Sequence, residues 1–238
     1  MLERIVKDIR LYESETENVS GQSLPSELGN ILKPTENTNV IAQRIARKLN
    51  ELHYTFGEQD HIYINLSTLL DEDDIRISNR AIDKRIKYID AGISQEKFNA
   101  LSDQNKDTFV EHKILEIFKV ISSETHQELI EQTAFELSKY GREIKIHFKT
   151  KETKSYRITI YYQIAPFDKR SVMIIDYLDK KNEVSYLKNF DLHHHEDIYA
   201  LIGNITVKDN KVMLQPKKSS SAEFVTKKYK TPIELELK

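Results

Sequence analysis

Cysteine is absent from the 238 residues. That absence excludes disulfides, thiolate nucleophiles and every zinc or iron–sulfur site built on cysteine. Tryptophan is absent too, and glycine (6) and proline (5) are scarce. So few glycines leave little material for a phosphate cradle, and neither G-x-x-x-x-G-K-[ST] nor G-x-G-x-x-G occurs. The G-x-S-x-G elbow of serine hydrolases is missing as well. No run approaches the ~20 apolar residues that a membrane span needs. The opening segment, MLERIVKDIRLYESETE, is charged throughout and lacks the apolar core of a signal peptide. A soluble, cytoplasmic protein is therefore expected, with no membrane partner. An excess of either charge is also lacking: 36 Lys and Arg stand against 38 Asp and Glu, for a net charge of −2. Such a balance supplies no global positive field for phosphates, so nucleic acid is not the first choice of partner.

What is present describes a polar globular chain, 39% hydrophobic and 31% charged, long enough for one large domain or two small ones. Its clearest element is a helix over Leu101–Ile121. Ser102 can cap it, Asp103 and Asp107 suit the positive end of its dipole, and Val110, Ile114, Ile117 and Ile121 recur at helical spacing. Phe109 and Phe118 broaden that stripe, which must be buried against neighbouring strands. Ahead of it, Met1–Tyr12 reads as a short helix with Leu2, Ile5, Ile9 and Tyr12 on one side. Glu13–Thr35 reads as a long polar connection. A helix starting near Thr38 or Asn39 turns Val40, Ile41, Ile45 and Leu49 inward and Arg44, Arg47 and Lys48 to water. HIYINLSTLL alternates as a strand, with LHYTF pairing across the GEQD turn. DKRIKYIDAGI reads as a further strand, and Ser94–Ala100 as a short helix feeding the main one.

After a helix from about Glu124 to Tyr140, with Leu129, Ile130, Phe135 and Leu137 apolar and Gly141 as its stop, the pattern changes. REIKIHFKT, SYRITIYYQIA, RSVMIIDYLD, EVSYLKNF, GNITV, KVML and TPIELEL alternate, and Asp209-Asn210 suits a two-residue hairpin turn. The expected fold class is α+β: a helix-rich N-terminal half with a few strands, residues 1–141, packed on a C-terminal antiparallel sheet of six or seven strands, residues 142–238, as one compact unit.

Few constellations carry chemistry. His193-His194-His195-Glu196-Asp197 draws the eye, but consecutive residues of an extended chain point to opposite sides, so one ion takes at most two of the histidines. With no supporting spacing, a loop is expected there and no metal site. Glu143-Ile144-Lys145 has the acidic-x-Lys pattern of metal-dependent nucleases, but that chemistry needs a second carboxylate one strand earlier. A helix precedes it instead. Asp71-Glu72-Asp73-Asp74 lacks the spacing of a calcium loop. The basic C-terminal run, KDNKVMLQPKKSSSAEFVTKKYK, has few aromatics to stack on bases, and edge-strand lysines that keep a sheet soluble account for it. No catalytic residue and no cofactor are assigned. A metal-dependent hydrolase or nuclease, through Glu143 and Lys145 or His193–His195, stands as the alternative class, beside a nucleic-acid-associated protein using the basic C-terminus.

DHIYINLSTLL, then KRIKYIDAGISQEKFNALSDQNKDTFVEHKILEIFKVI, and finally DIYALIGNITVKDNKVMLQPKKSSSAEFVTKKYKTPIELEL give the chain an arrangement that resembles bacterial polymorphic-toxin immunity proteins. The resemblance lies in the pattern of a strand, a basic strand with a short and a long helix, and a meandering sheet. It implies a small cytoplasmic protein that neutralises a cognate toxin by binding it, with no shared catalytic residues to carry over. An inhibitor of a nuclease-type toxin faces an electropositive active site, so the acidic run Asp71, Glu72, Asp73 and Asp74 is the expected partner-binding site.

Overall fold

The computed structural model describes residues 3–237, which divide between Gly141 and Arg142 into two compact units. The first is built on a mixed five-stranded sheet. Its strands are β1 (Asp8–Ser14), β2 (Ser26–Glu27), β3 (His61–Ser67), β4 (Ile75–Ile77) and β5 (Ile86–Gly92), in the order β2-β1-β3-β5-β4. The three longer strands run parallel, with Ser14 beside Ser67 and Ser67 beside Gly92, while β2 and β4 are antiparallel edges. Helix α1 (Thr38–Glu51) links β1 to β3, the crossover that parallel neighbours require. Helices α2 (Gln95–Ala100), α3 (Asp103–Ile121) and α4 (Gln127–Tyr140) follow β5.

Side chains sort onto the two faces of this sheet by the period of two along each strand. Ile9 and Leu11 of β1, Ile62, Ile64 and Leu66 of β3, and Ile89 and Ala91 of β5 share one face and are buried. Helix α1 packs against β1, and α3 packs against α1, α4 and β4. Ser102 caps α3 by accepting from the Asn105 N–H, and Val110, Ile114, Ile117 and Phe118 are buried as the helical spacing requires. Ser94 caps α2 in the same way, and Gly141, at φ 53°, ends α4. The other face carries Tyr12, Tyr63 and Tyr88 in a row, with ring centroids 5.2 and 5.6 Å apart, and beyond them Ser14, Asn65, Ser67 and Asp90.

Several expectations fail here, each for a physical reason. Residues 8–12 form a strand and not a helix, because Ile9 and Leu11 alternate with Arg10 and Tyr12 and find β3 as a partner (Met1 and Leu2 lie outside the described residues). LHYTF is not a hairpin arm: it makes two isolated bridges, from Thr55 to Ile5 and from Phe56 to Gln59, since β3 is taken on both sides by β1 and β5. Arg44 and Lys48 do not face water. Lys48 is buried between Glu51 at 2.9 Å and Glu136 of α4 at 2.6 Å, and although burial disfavours its charge, these two carboxylates raise its pKa. Phe135 is exposed, at 63%, and does not join the apolar stripe of α4. The N-terminal half is thus organised by a sheet and not by helices alone.

The second unit is antiparallel and forms two sheets where one was expected. Strands β6 (Ile146–Glu152), β7 (Tyr156–Gln163), β8 (Ser171–Asp179) and β9 (Val184–Leu192) follow one another as a meander. Their core comes from directly opposed pairs, Ile158 with Tyr177, Ile160 with Ile175 and Tyr162 with Met173, all buried. After α5 (Ile198–Leu201), β10 (Asn204–Lys208) and β11 (Lys211–Gln215) form a hairpin whose turn residues Asp209 and Asn210 both take positive φ, the geometry of a type I′ turn. Helix α6 (Ser220–Thr226) leads to β12 (Ile233–Glu236), which completes the smaller sheet beside β11.

Candidate functional site

The parallel strands of the first unit all end on one edge, and ligands of open α/β sheets bind outside the carboxyl ends of their strands. That edge gathers buried polar side chains. Asn65, 1% exposed, donates from Nδ2 to Ser14 Oγ at 2.9 Å and to Asp90 Oδ1 at 2.7 Å. The same carboxylate oxygen receives Nη1 of Arg80 at 2.7 Å, and Arg80 is itself held by Ser78 Oγ and the Ser23 carbonyl, each at 2.9 Å. The contact with a carboxylate determines which way the Asn65 amide points, since the reverse would set two acceptors against each other. Its Oδ1 is then buried with no hydrogen-bond partner.

The segments around this edge are anchored to it. Glu13 points into the apolar layer with no exposure at all, and its carboxylate accepts the backbone N–H groups of Asn30, Ile31 and Leu32 at 2.8, 2.9 and 2.9 Å. The following connection bonds to the 78–81 segment: Asn79 donates to the Asn18 carbonyl at 2.8 Å, and the Ala81 N–H to that of Gly21 at 3.3 Å. Gly21 is required there, at φ 71°, because a Cβ would sit 2.8 Å from the Asn79 carbonyl. Between these segments and the strand ends lies a cavity of about 450 Å³, floored by Ser14, Asn65, Ser67 and Asp90 and rimmed by Arg76 and Asn18.

The acidic run lies on the same edge, between β3 and β4. Asp71, Glu72, Asp73 and Asp74 are all exposed. The Gly92 N–H donates to the Asp74 carbonyl at 2.8 Å, and Lys113 of α3 donates to the Glu72 carbonyl at 2.7 Å. Gly92 also lies so close beneath the loop that a Cβ would stand 1.7 Å from the Asp71 carbonyl oxygen. Glu72 pairs with Lys97 at 2.6 Å, and Asp71, Asp73 and Asp74 form no salt bridge among the described residues. The loop is a rigid mount for negative charge.

At the amino-terminal edge the charges are reversed. Asp60, with no exposed side-chain surface, meets Lys7 at 3.0 Å, Arg85 at 3.1 Å and Arg4 at 3.7 Å. Burial favours the neutral acid, but the hydrogen bonds from Arg85 and Lys7 outweigh it and hold the carboxyl at a pKa of about 2. Asp8 is likewise lowered: burial works against it, and Gln43, Arg10 and His61 together prevail.

The remaining sequence candidates lie in the second unit and do not converge. Glu143 sits in a 3-10 turn before β6, not on a strand, and Lys145 lies in the extended segment just ahead of that strand. The three histidines take three tasks, although the ring centroids of His194 and His195 lie 4.3 Å apart. His193 packs its ring on Tyr229, His194 caps a 3-10 turn by accepting the Glu196 N–H at Nδ1, and His195 is buried parallel to Tyr162. Tyr229 bridges the His193 N–H, at 2.7 Å, and Asp197 Oδ2, at 2.5 Å; burial first and that carboxylate second raise its pKa. Among the described residues no group of three His, Asp or Glu side chains is placed to hold a metal ion, and no helix is long and apolar enough to cross a membrane. In the basic C-terminal run, Lys211 lies on the central strand of its sheet and not at an edge, paired with Glu234 at 3.2 Å and Glu236 at 3.3 Å.

The residues that sequence reasoning missed are Ser14, Asn65, Arg80 and Asp90. Asn65 and Asp90 each carry a signal, a polar residue inside a strand of Ile and Tyr, but their convergence depends on the parallel pairing of β3 with β5. No family model, curated protein or solved structure matches the chain.

Proposed function

We propose that the chain is a non-enzymatic, cytoplasmic binding protein that neutralises a cognate bacterial toxin by direct contact, with the carboxyl edge of its first unit as the recognition surface. The observation that carries this reading is the rigidly mounted acidic loop. Asp71, Glu72, Asp73 and Asp74 are exposed together, and their backbone is held by Gly92 and Lys113. A loop backbone held in place spends less binding energy on ordering, and a negative patch speeds encounter with the electropositive active site of a nuclease-type toxin. The toxin itself is the partner implied by the resemblance of the sequence to immunity proteins. Saturation of the nearby buried Glu13 carboxylate, both of whose oxygens are occupied by backbone donors, supports binding over turnover.

The test is co-production in a bacterial host with the protein encoded immediately upstream. Growth arrest by that protein alone, relieved by the full chain and relieved less by a variant carrying Asp71→Asn, Glu72→Gln, Asp73→Asn and Asp74→Asn, is the expected result. A neighbour that does not arrest growth, or arrest that the full chain does not relieve, removes the reading.

A further inference from the structure

The cavity beside the acidic loop has a floor and a rim of different chemistry. The floor presents acceptors: the Asp90 carboxylate, whose Oδ1 takes the bonds from Asn65 and Arg80 while its Oδ2 is in no hydrogen bond among the described residues, together with the Ser14 and Ser67 hydroxyls. A carboxylate oxygen at the floor of a cavity is a strong acceptor for a ligand hydroxyl. At the rim stands Arg76, directly across from Asp90 in the β4–β5 pairing, exposed and with no hydrogen bond or ion pair among the described residues. A free guanidinium at the mouth of a pocket suits a phosphate, whose oxygens match its fork. Leu69 and Ile77 give the walls apolar surface, and about 450 Å³ lies within the range of small-molecule pockets.

From this we infer that the cavity binds a phosphorylated sugar, with sugar hydroxyls donating to the Asp90 carboxylate on the floor and the phosphate held by Arg76 at the rim. The inference rests on the first unit alone and stands or falls separately from the toxin reading. The sugar phosphate can come free or as part of a nucleotide, and both offer the same groups to these residues.

The experiment is calorimetric titration of the full chain with ribose 5-phosphate, adenosine 5′-monophosphate, ribose and inorganic phosphate. Ribose 5-phosphate is expected to bind more tightly than either ribose or phosphate, because only it engages floor and rim together. Arg76→Ala, a change at an exposed and unpaired side chain, is expected to weaken ribose 5-phosphate about tenfold, the loss typical of a charge-assisted hydrogen bond. Leu69→Trp, which fills the cavity from a half-exposed wall, is expected to abolish binding while the thermal melting of the protein stays in place. Tighter binding of adenosine 5′-monophosphate assigns the nucleotide as the source, and equal or weaker binding assigns the free sugar phosphate. The inference is overturned if neither phosphorylated probe binds at millimolar concentration, if inorganic phosphate binds as well as ribose 5-phosphate, or if either variant keeps full affinity.

Discussion

The two units bury polar groups in different ways. In the second, the core is a set of cross-strand aliphatic and aromatic pairs such as Ile160 with Ile175, and its buried Asp197 meets neutral donors, the His194 N–H and the Tyr229 hydroxyl. In the first, a comparable aliphatic layer under α1 and α3 is accompanied by acidic and basic side chains deep in the structure: Glu13, Lys48, Asp60, Arg80 and Asp90. Apolar contacts are non-directional and tolerate rearrangement, whereas a buried charge is stable only in one arrangement of its partners. The first unit therefore holds both edges of its parallel sheet in fixed electrostatic poses, cationic around Asp60 and anionic at Asp71–Asp74. The second unit is organised as a sheet scaffold. On the reading proposed above, recognition belongs to the first.

The largest effect that can break this comparison is removal of a buried ionic partner. Asp90→Ala leaves the Arg80 guanidinium buried and unpaired, and is expected to cost about 3–5 kcal/mol in denaturant unfolding. Asp197→Ala in the second unit loses hydrogen bonds to neutral donors and is expected to cost only about 1–3 kcal/mol. Equal losses at the two sites would erase the distinction. The apolar layers, in contrast, should respond alike. Ile114→Ala in α3 and Ile160→Ala in β7 are each expected to cost about 2–5 kcal/mol, since both leave a cavity among buried neighbours. A loss under about half a kilocalorie per mole at Ile114, the range of neutral surface changes, would mean that its face is not core.

Acid should separate the units more gently. Asp60 has a folded pKa of about 2 against an ordinary 3.8, so it binds fewer protons when folded than when unfolded. The stability it contributes is complete above the ordinary carboxylate value and is lost as pH falls from about 4 toward 2. Amide hydrogen exchange should show protection in β1, β3 and β5 falling across that window, and Asp60→Asn should flatten the fall. Exchange that is insensitive to pH between 4 and 2 in the parent would contradict the assignment.

How much of this was legible in the sequence depends on the range of the contacts. Helix α3 was readable in detail, down to its Ser102 cap, because capping and helical periodicity are local. The antiparallel strands of the second unit were readable for the same reason, through alternation and short turns such as Asp209-Asn210. Strand β1 was not, because Glu13 occupies a position where its alternation calls for an apolar residue, and only the distant N–H groups of residues 30–32 make that burial possible. The burial of Lys48 depended in the same way on Glu136, far along the chain. The floor of the cavity was out of reach, because no local signal brings Asn65 beside Asp90: parallel pairing is set by a crossover, not by a turn.

The smallest expected change in stability belongs to the acidic loop, whose side chains face water. Neutralising Asp71, Glu72, Asp73 and Asp74 together should alter unfolding free energy by less than about 0.5 kcal/mol, as exposed substitutions do. Their effect should appear in association instead. The most direct test is stopped-flow mixing of the full chain with the protein encoded immediately upstream, the toxin of the proposed reading, parent against quadruple variant, at low and high salt. The account predicts slower association of the variant at low salt and a flattened salt dependence. Rates that match the parent at both salt concentrations would contradict it and remove this loop from the interface.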